Sequence, residues 1–485
     1  MWAIGVVALC VMAGSALAAL VRLVPLSLRA ARVALRQIFG AMRWVSRHRR
    51  FGAGSVVVAV VVWMATKHGV GALAVGAAIS AALLATWRLR APETFSAWVT
   101  ERIAGSWRSA RVYRPAWETA MVTTGLDAGI NGERRLPALV GVRSRAGVDR
   151  VRVRMLAGQV LEDWTGRAPR LAQTFGVPEC RVRTVPGRSR DLELWLLVAD
   201  MLLAEVSPFR SRTSDAAALA VAVQEDGRRY RLRLLGSHVL VVGATGSGKG
   251  SVLWAIVAGL APAIRDRTAR VWALDPKGGM ELAAGRPLFD RFVYGDPDDG
   301  GDYEIEFARA LEDAVSIMRR RQARLRGITR LHSPTEEEPL IVVLIDELAN
   351  LTAYITDREA KRRIGAALSL LLSQGRAVGV SVVGAVQDPR KEVVTVRDLF
   401  PTRIALRLSE ADQVALVLGA GARDRGARCD RIAESMPGTG YVGIEGVAEP
   451  LRVRFPHFTD QHIDALVAEY GTSADMTAAE TRSAA

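Results

Sequence analysis

The stretch Val239-Leu240-Val241-Val242-Gly243-Ala244-Thr245-Gly246-Ser247-Gly248-Lys249-Gly250-Ser251 is an apolar, β-branched run that stops at a glycine, turns and meets a lysine. It leads straight into Val252-Leu253-Trp254-Ala255-Ile256. Strand, glycine-rich loop and helix in that order make a phosphate cradle. Backbone N–H groups of Gly243, Ala244, Thr245, Gly246, Ser247 and Gly248 close around phosphate oxygens, and the helix N-terminus adds partial positive charge. Lys249 reaches the β- and γ-phosphates of a nucleotide such as ATP. Further along, Leu340-Ile341-Val342-Val343-Leu344-Ile345 ends in Asp346-Glu347, the pattern of a Walker B strand. Asp346 would hold Mg²⁺, directly or through water, and Glu347 would polarise the attacking water as general base. The next buried run, Val380–Val386, ends at Gln387, whose amide can sense the γ-phosphate or position water.

One position breaks the pattern. The residue after the loop lysine is expected to carry a hydroxyl for Mg²⁺, yet it is Gly250, and Ser251 follows one place late. Either Ser251 stands in as the metal ligand, or a water does, or hydrolysis is weak.

Positioning these residues requires strands that alternate with helices, which argues for a parallel α/β sheet. Ala269–Leu274 reads as a buried strand running into Asp275-Pro276-Lys277-Gly278-Gly279-Met280. Ligands bind at the carboxyl ends of such strands, so Asp275 and Lys277 are candidate nucleotide contacts, the alternative being a plain Asp-Pro turn. Phe307–Ile328 reads as a helix bearing Arg319, Arg320, Arg321, Arg324 and Arg326. Such a run suits a partner-facing or DNA-facing surface, and more often a solvated face. Upstream, residues 91–136 read as a membrane-proximal helical linker, whose helix-like part from Ala91 to about Leu126 carries Trp98, Trp107, Tyr113 and Trp117, rings that settle well at a membrane surface. Residues 137–205 read as a small α+β module: strands at Val151–Met155, Cys180–Val185 and Leu192–Val198, and a helix over Gln159–Phe175. Leu203–Ala216 reads as a connector.

The formal charge of +15 is unevenly placed. Eleven of the 65 Lys and Arg lie in residues 1–90 without an acid, leaving 54 basic against 50 acidic residues in the remainder. Net charge is therefore no argument for nucleic acid. Three apolar runs, Trp2–Val21, Phe51–Thr66 and Gly69–Trp87, read as a membrane anchor of three transmembrane helices. The first and third are long enough for about 30 Å of hydrocarbon. The arginines between the first two runs, with Arg88 and Arg90, would face the cytoplasm and leave the bulk of the chain on the cytoplasmic side of the inner membrane. A cleaved signal peptide is the rival for the first run, but its leading segment lacks positive charge. The cysteines Cys10, Cys180 and Cys429 show no metal spacing and suit a reducing compartment. Lysine is rare, and two of five, Lys249 and Lys277, fall within motifs.

Together the motifs resemble the FtsK/SpoIIIE family of DNA-pumping ATPases. The matching segments are GATGSGKGS at 243–251, DPKGGMEL at 275–282, VVLIDELA at 342–349, GRAVGVSVVGAVQDP at 375–389 and FPTRIALRLS at 400–409. The resemblance covers roughly 210–455. It implies a RecA-like P-loop motor over 206–456 that uses ATP and Mg²⁺, assembles as a homo-hexamer and moves double-stranded DNA through its pore. A membrane-bound ring of this kind would work beside other transfer or division proteins. In such a ring a neighbour's arginine completes each ATP site, and Arg376 and Arg403 are the candidates. Within the family the chain is most similar to TraB-like transfer proteins of actinobacterial conjugative plasmids and integrative elements.

Departures from the family are Gly250, Asp388 where Arg is frequent, and a segment 457–485 too short for the winged-helix domain with which relatives read DNA orientation; it reads as one helix, Thr459–Tyr470, and a disordered tail. Two other readings fit the same residues: a type VII secretion ATPase with a protein cargo, and a weakly hydrolysing nucleotide-binding membrane scaffold.

Overall fold

The computed structural model describes residue 78 and residues 81–130, 133–295, 303–390 and 396–471. They fall into two compact units whose main division lies between Leu196 and Leu197.

In the first unit a nearly continuous helical stretch runs from Pro92 to Thr124, relaxed at two five-residue π turns, Ser96–Thr100 and Ser109–Tyr113. It stops at Gly125, whose φ of +68° only glycine adopts readily. Trp98 and Trp107 are exposed, whereas Tyr113, Trp117, Ala120 and Met121 are buried. Phe175 packs against both Tyr113 and Trp117, with ring centroids 5.3 and 6.2 Å away. The aromatic spacing thus serves a core over its second half. A hairpin of β1 (Ala128–Ile130) and β2 (Glu133–Arg135) follows. Next comes a four-stranded sheet of β3 (Ala138–Arg145), β4 (Val148–Arg154), β5 (Glu179–Thr184) and β6 (Asp191–Leu197), in the order β3-β4-β6-β5. Val151 and Val153 in β4, and Leu192, Leu194 and Leu196 in β6, point inward at the period of two that the sequence displays. The helix expected over Gln159–Phe175 is two short ones, Leu161–Thr165 and Ala168–Thr174, broken at Gly166-Arg167.

The second unit is built on ten strands: β7 (Leu219–Gln224), β8 (Arg229–Leu232), β9 (Val239–Val242), β10 (Ala269–Asp275), β11 (Arg291–Tyr294), β12 (Leu340–Ile345), β13 (Val380–Val386), β14 (Thr402–Ala405), β15 (Thr439–Ile444) and β16 (Leu451–Arg454). Their order is β11-β10-β12-β13-β9-β14-β15-β16-β7-β8. The first six are parallel and the rest antiparallel. Strands β9, β12 and, but for Ser381, β13 read as apolar runs because both their faces are covered. Leu240 and Val242 join one core with the helices Tyr303–Leu325 and Arg358–Gln374. Val239 and Val241 join the other, with the helix Lys249–Arg265 and the terminal helix Asp460–Tyr470. The register of β9 with β13 pairs Val242 with Val386, and that of β12 with β13 pairs Ile345 with Gly384. Gly243, Asp346 and Gln387 therefore emerge along one edge.

Two expectations are corrected. Among the described residues no helix is long and apolar enough to cross a membrane, so the multi-pass, membrane-anchored localisation does not stand. Trp2–Val21, Phe51–Thr66 and nearly all of Gly69–Ser80 lie outside the described residues, as do 472–485 of the tail. And the arginine run on Tyr303–Leu325 is not one solvated or partner-facing surface. Arg321 is buried and donates to the carbonyls of Val378, Gly379 and Pro339 at 3.0, 3.0 and 2.5 Å. It clips the helix to the entry of β13.

Two histidines are buried in this unit. His238 Nδ1 accepts the Val382 N–H at 3.0 Å, and His332 Nε2 lies 3.0 Å from the Glu338 carbonyl. Burial, reinforced by Arg376 at His238 and by Arg321 and Arg324 at His332, pulls each pKa down to about 4. An unfolded chain protonates histidine near its ordinary value of about 6.5. Between those values the unfolded state takes up protons that the folded state refuses, so stability is full above pH 6.5 and falls as pH drops toward 4. The loss at pH 5 is on the order of 2 kcal/mol per histidine. Melting curves from pH 7.5 to 5 should show this slope, with His238→Gln and His332→Gln each flattening it. Equal slopes in all three proteins would refute the assignment.

Candidate ATP-hydrolysis site

The loop between β9 and the helix Lys249–Arg265 owes its shape to glycine. Gly246 and Gly248 have φ of +72° and +94°, a region that side-chain-bearing residues avoid. A Cβ on Gly248 would also lie 2.4 Å from the Gly438 nitrogen, so the loop packs directly on the turn that precedes β15. Lys249, the first residue of the helix, donates from Nζ to the carbonyls of Gly243 and Ala244 at 2.9 and 3.4 Å. Burial pulls its pKa down, against the nearby carboxylate of Glu347.

The other candidates arrive on neighbouring strand ends. Asp346 and Glu347, both buried, follow β12 directly. Glu347 Oε1 accepts the Gln387 N–H at 3.3 Å, and the Gln387 side-chain oxygen accepts from the Thr245 hydroxyl at 3.2 Å. The presumptive base, the polar residue ending β13 and the phosphate loop are thus joined by hydrogen bonds. Burial pushes both the Asp346 and Glu347 carboxyls above the usual range, and Lys277 only partly offsets this. A carboxylate tuned upward is a better proton acceptor near neutral pH.

Lys277 Nζ lies 3.0 Å from Asp346 Oδ2 and 3.4 Å from Glu347 Oε2. Burial lowers its pKa, but the two acids outweigh that and hold it raised. Asp275, fully buried, spends its carboxylate on backbone: it accepts the N–H groups of Lys277, Glu281 and Leu282, each at 3.1 Å. Its part in the site is to fix the loop that carries Lys277.

Arg376 stands before β13, at the amino edge and so away from the phosphate loop, with Glu445 3.7 Å away. Arg403 lies within β14 and donates to the carbonyls of Phe400 and Val417 at 3.0 and 3.2 Å. Arg407 escaped the sequence reading. It follows β14 at the carboxyl edge and donates to the Thr245 carbonyl at 2.9 Å, on the phosphate loop itself. Its place two residues beyond a parallel strand was the available signal.

Comparison with known proteins agrees with this geometry. Residues 211–436 match the FtsK/SpoIIIE family. The transfer protein TraSA of Streptomyces ambofaciens is 29% identical over 346 residues, 67% of this chain and 80% of its own. The DNA translocase FtsK of Sporosarcina ureae is 28% identical over 250 residues, 47% of this chain. The chain thus spans only 29% of that translocase's length. Among solved structures, the pCW3 conjugation coupling protein TcpA, in a monomer form with ATPγS, gives a TM-score of 0.43 at 19% identity, covering 74% of this chain and 98% of its own. Strand order, the residues gathered at the carboxyl edge and the family match converge on one statement: residues 211–436 are an ATPase domain of the FtsK/SpoIIIE family.

Proposed function

We propose that this chain is a RecA-like motor that couples ATP hydrolysis to movement of double-stranded DNA in conjugative transfer. The observation that carries the reading is the hydrogen-bonded set Thr245, Gln387 and Glu347 beside Lys249, inside a domain whose relatives are a transfer protein and DNA translocases. In it Lys249 and the loop amides hold the phosphates, Glu347 receives the proton of the attacking water, and Gln387 reports the state of the phosphate loop. Asp346 would hold Mg²⁺, which when bound neutralises charge on the β- and γ-phosphates. Its buried Oδ2 already faces a positive charge, the Lys277 ammonium at 3.0 Å. Assembly as a homo-hexamer would place each ATP site between copies and give Arg376 or Arg403 its role as the arginine supplied by a neighbour.

The test is steady-state ATP turnover by the full chain with and without long duplex DNA, alongside its mass in solution with nucleotide bound. Turnover should rise several-fold with duplex and fall as salt is raised. Turnover indifferent to duplex would overturn the DNA reading, and a monomer at every concentration would remove the ring together with the roles of Arg376 and Arg403.

A further inference from the structure

Gly250 lies in the first turn of the helix Lys249–Arg265, where a serine or threonine hydroxyl is ordinarily presented to the metal. A Cβ built there would sit 1.8 Å from Glu281 Oε1, 2.7 Å from its Cδ and 3.3 Å from Oε2. A side chain at 250 would push the Glu281 carboxylate from its present place, so a carboxylate oxygen now lies where a residue bearing the hydroxyl would have its Cβ. The loop delivering it is firmly held. The fully buried Asp275 accepts the Glu281 and Leu282 N–H groups, and Leu282 is itself fully buried in the apolar core.

A second observation makes this more than a crowded corner. Asp346 Oδ2, buried at the end of β12, already stabilises a positive charge, the Lys277 ammonium 3.0 Å away. Mg²⁺ takes one or two protein oxygens and completes its shell with phosphates and water. Ser251 is a poor substitute for Gly250, because successive residues of a helix project about 100° apart.

We propose that Glu281 performs the task of the absent hydroxyl, offering the divalent cation that accompanies ATP a carboxylate oxygen in addition to that of Asp346. The proposal rests on the nucleotide-site reading above. It has a consequence that a hydroxyl does not share. Without the cation, an extra negative charge faces the phosphates and repels them, so nucleotide binding depends more steeply on the metal.

The experiment titrates the full chain with a fluorescent ATP analogue in Mg²⁺ and again in EDTA, and follows Mn²⁺ binding by electron paramagnetic resonance. Melting curves check that each variant is folded. The wild type should bind far more tightly in Mg²⁺. In Glu281→Gln the ratio of the two affinities should shrink by about 10- to 100-fold, through weaker binding in Mg²⁺ and tighter binding in EDTA, and Mn²⁺ binding should weaken in parallel. The double change Glu281→Ala with Gly250→Ser should recover much of the ratio that Glu281→Ala alone loses. A wild-type ratio in Glu281→Gln, or a double variant no better than Glu281→Ala, overturns the proposal while leaving the nucleotide site intact. A wild type that binds nucleotide in neither condition overturns the site reading itself.

Discussion

Replacing Glu347 with Gln should lower ATP turnover by about 10²- to 10⁴-fold, the usual contribution of a positioned general base, and leave nucleotide bound. The substitution keeps shape and an acceptor oxygen, so the hydrogen bond from the Gln387 N–H, 3.3 Å in the native site, survives. It removes the capacity to accept a proton and, with the charge, the ion pair to Lys277, which keeps Asp346 as its partner. The native carboxyl is buried and shifted upward, so its ionised form is the stronger base and its loss is felt in the chemical step. Losing the charge also relieves burial, so stability should hold or rise slightly. Phosphate release under single-turnover conditions, set beside the affinity for a fluorescent ATP analogue, separates the two quantities. A loss of only a few-fold in turnover would show that the proton goes elsewhere.

The parts of this molecule that the sequence displayed are those governed by local pattern. Strands β9, β12 and β13 are covered on both faces, so each is a short run rich in β-branched residues. Lys249, Asp346, Glu347 and Gln387 end or follow such runs. Because parallel strands share a direction, reading their ends along the chain amounts to reading one edge of the sheet. What stayed hidden depends on tertiary placement. Arg321 belongs to a run of arginines that reads as solvated, and only the carbonyls of Val378, Gly379 and Pro339 reveal it as a buried clip. Tyr113 and Trp117 looked like surface aromatics of a linker until Phe175 was found against them. Asp275 drew notice as a strand-end acid, but its three backbone partners depend on the fold of the seven residues after it. Glu281 lies inside a quoted motif, yet nothing in DPKGGMEL says that its carboxylate will lie over Gly250. That relation joins the loop after β10 to the first turn of the helix Lys249–Arg265, and no periodicity carries it.

Lys277→Met should be almost as damaging as the loss of Glu347, for a different reason. Lys277 holds its ammonium 3.0 Å from Asp346 Oδ2 and 3.4 Å from Glu347 Oε2, and it is the chief group that opposes the upward push of burial on both acids. Methionine keeps most of the stem's volume and removes the charge. Two buried carboxylates are then left side by side with Lys249 as the lysine that still acts on them, and one of them takes a proton. When that is Glu347, the base is lost; when it is Asp346, the oxygen offered to Mg²⁺ is lost. Either way hydrolysis fails, by about 10²-fold or more, while the phosphate loop and Lys249 still bind nucleotide. The effect on stability is smaller than for a fully buried pair, because the Lys277 side chain is 34% exposed and water screens part of the loss. The sign of the pH response follows from the same charges: with the cation gone both carboxyl pKa values move further up, so the activity that remains should recover as pH is raised. Turnover and nucleotide affinity measured together from pH 6 to 9 decide the matter. Affinity falling in step with turnover at every pH would make Lys277 a phosphate contact instead. Affinity nearly unchanged, with turnover regained toward alkaline pH, is the result this geometry requires.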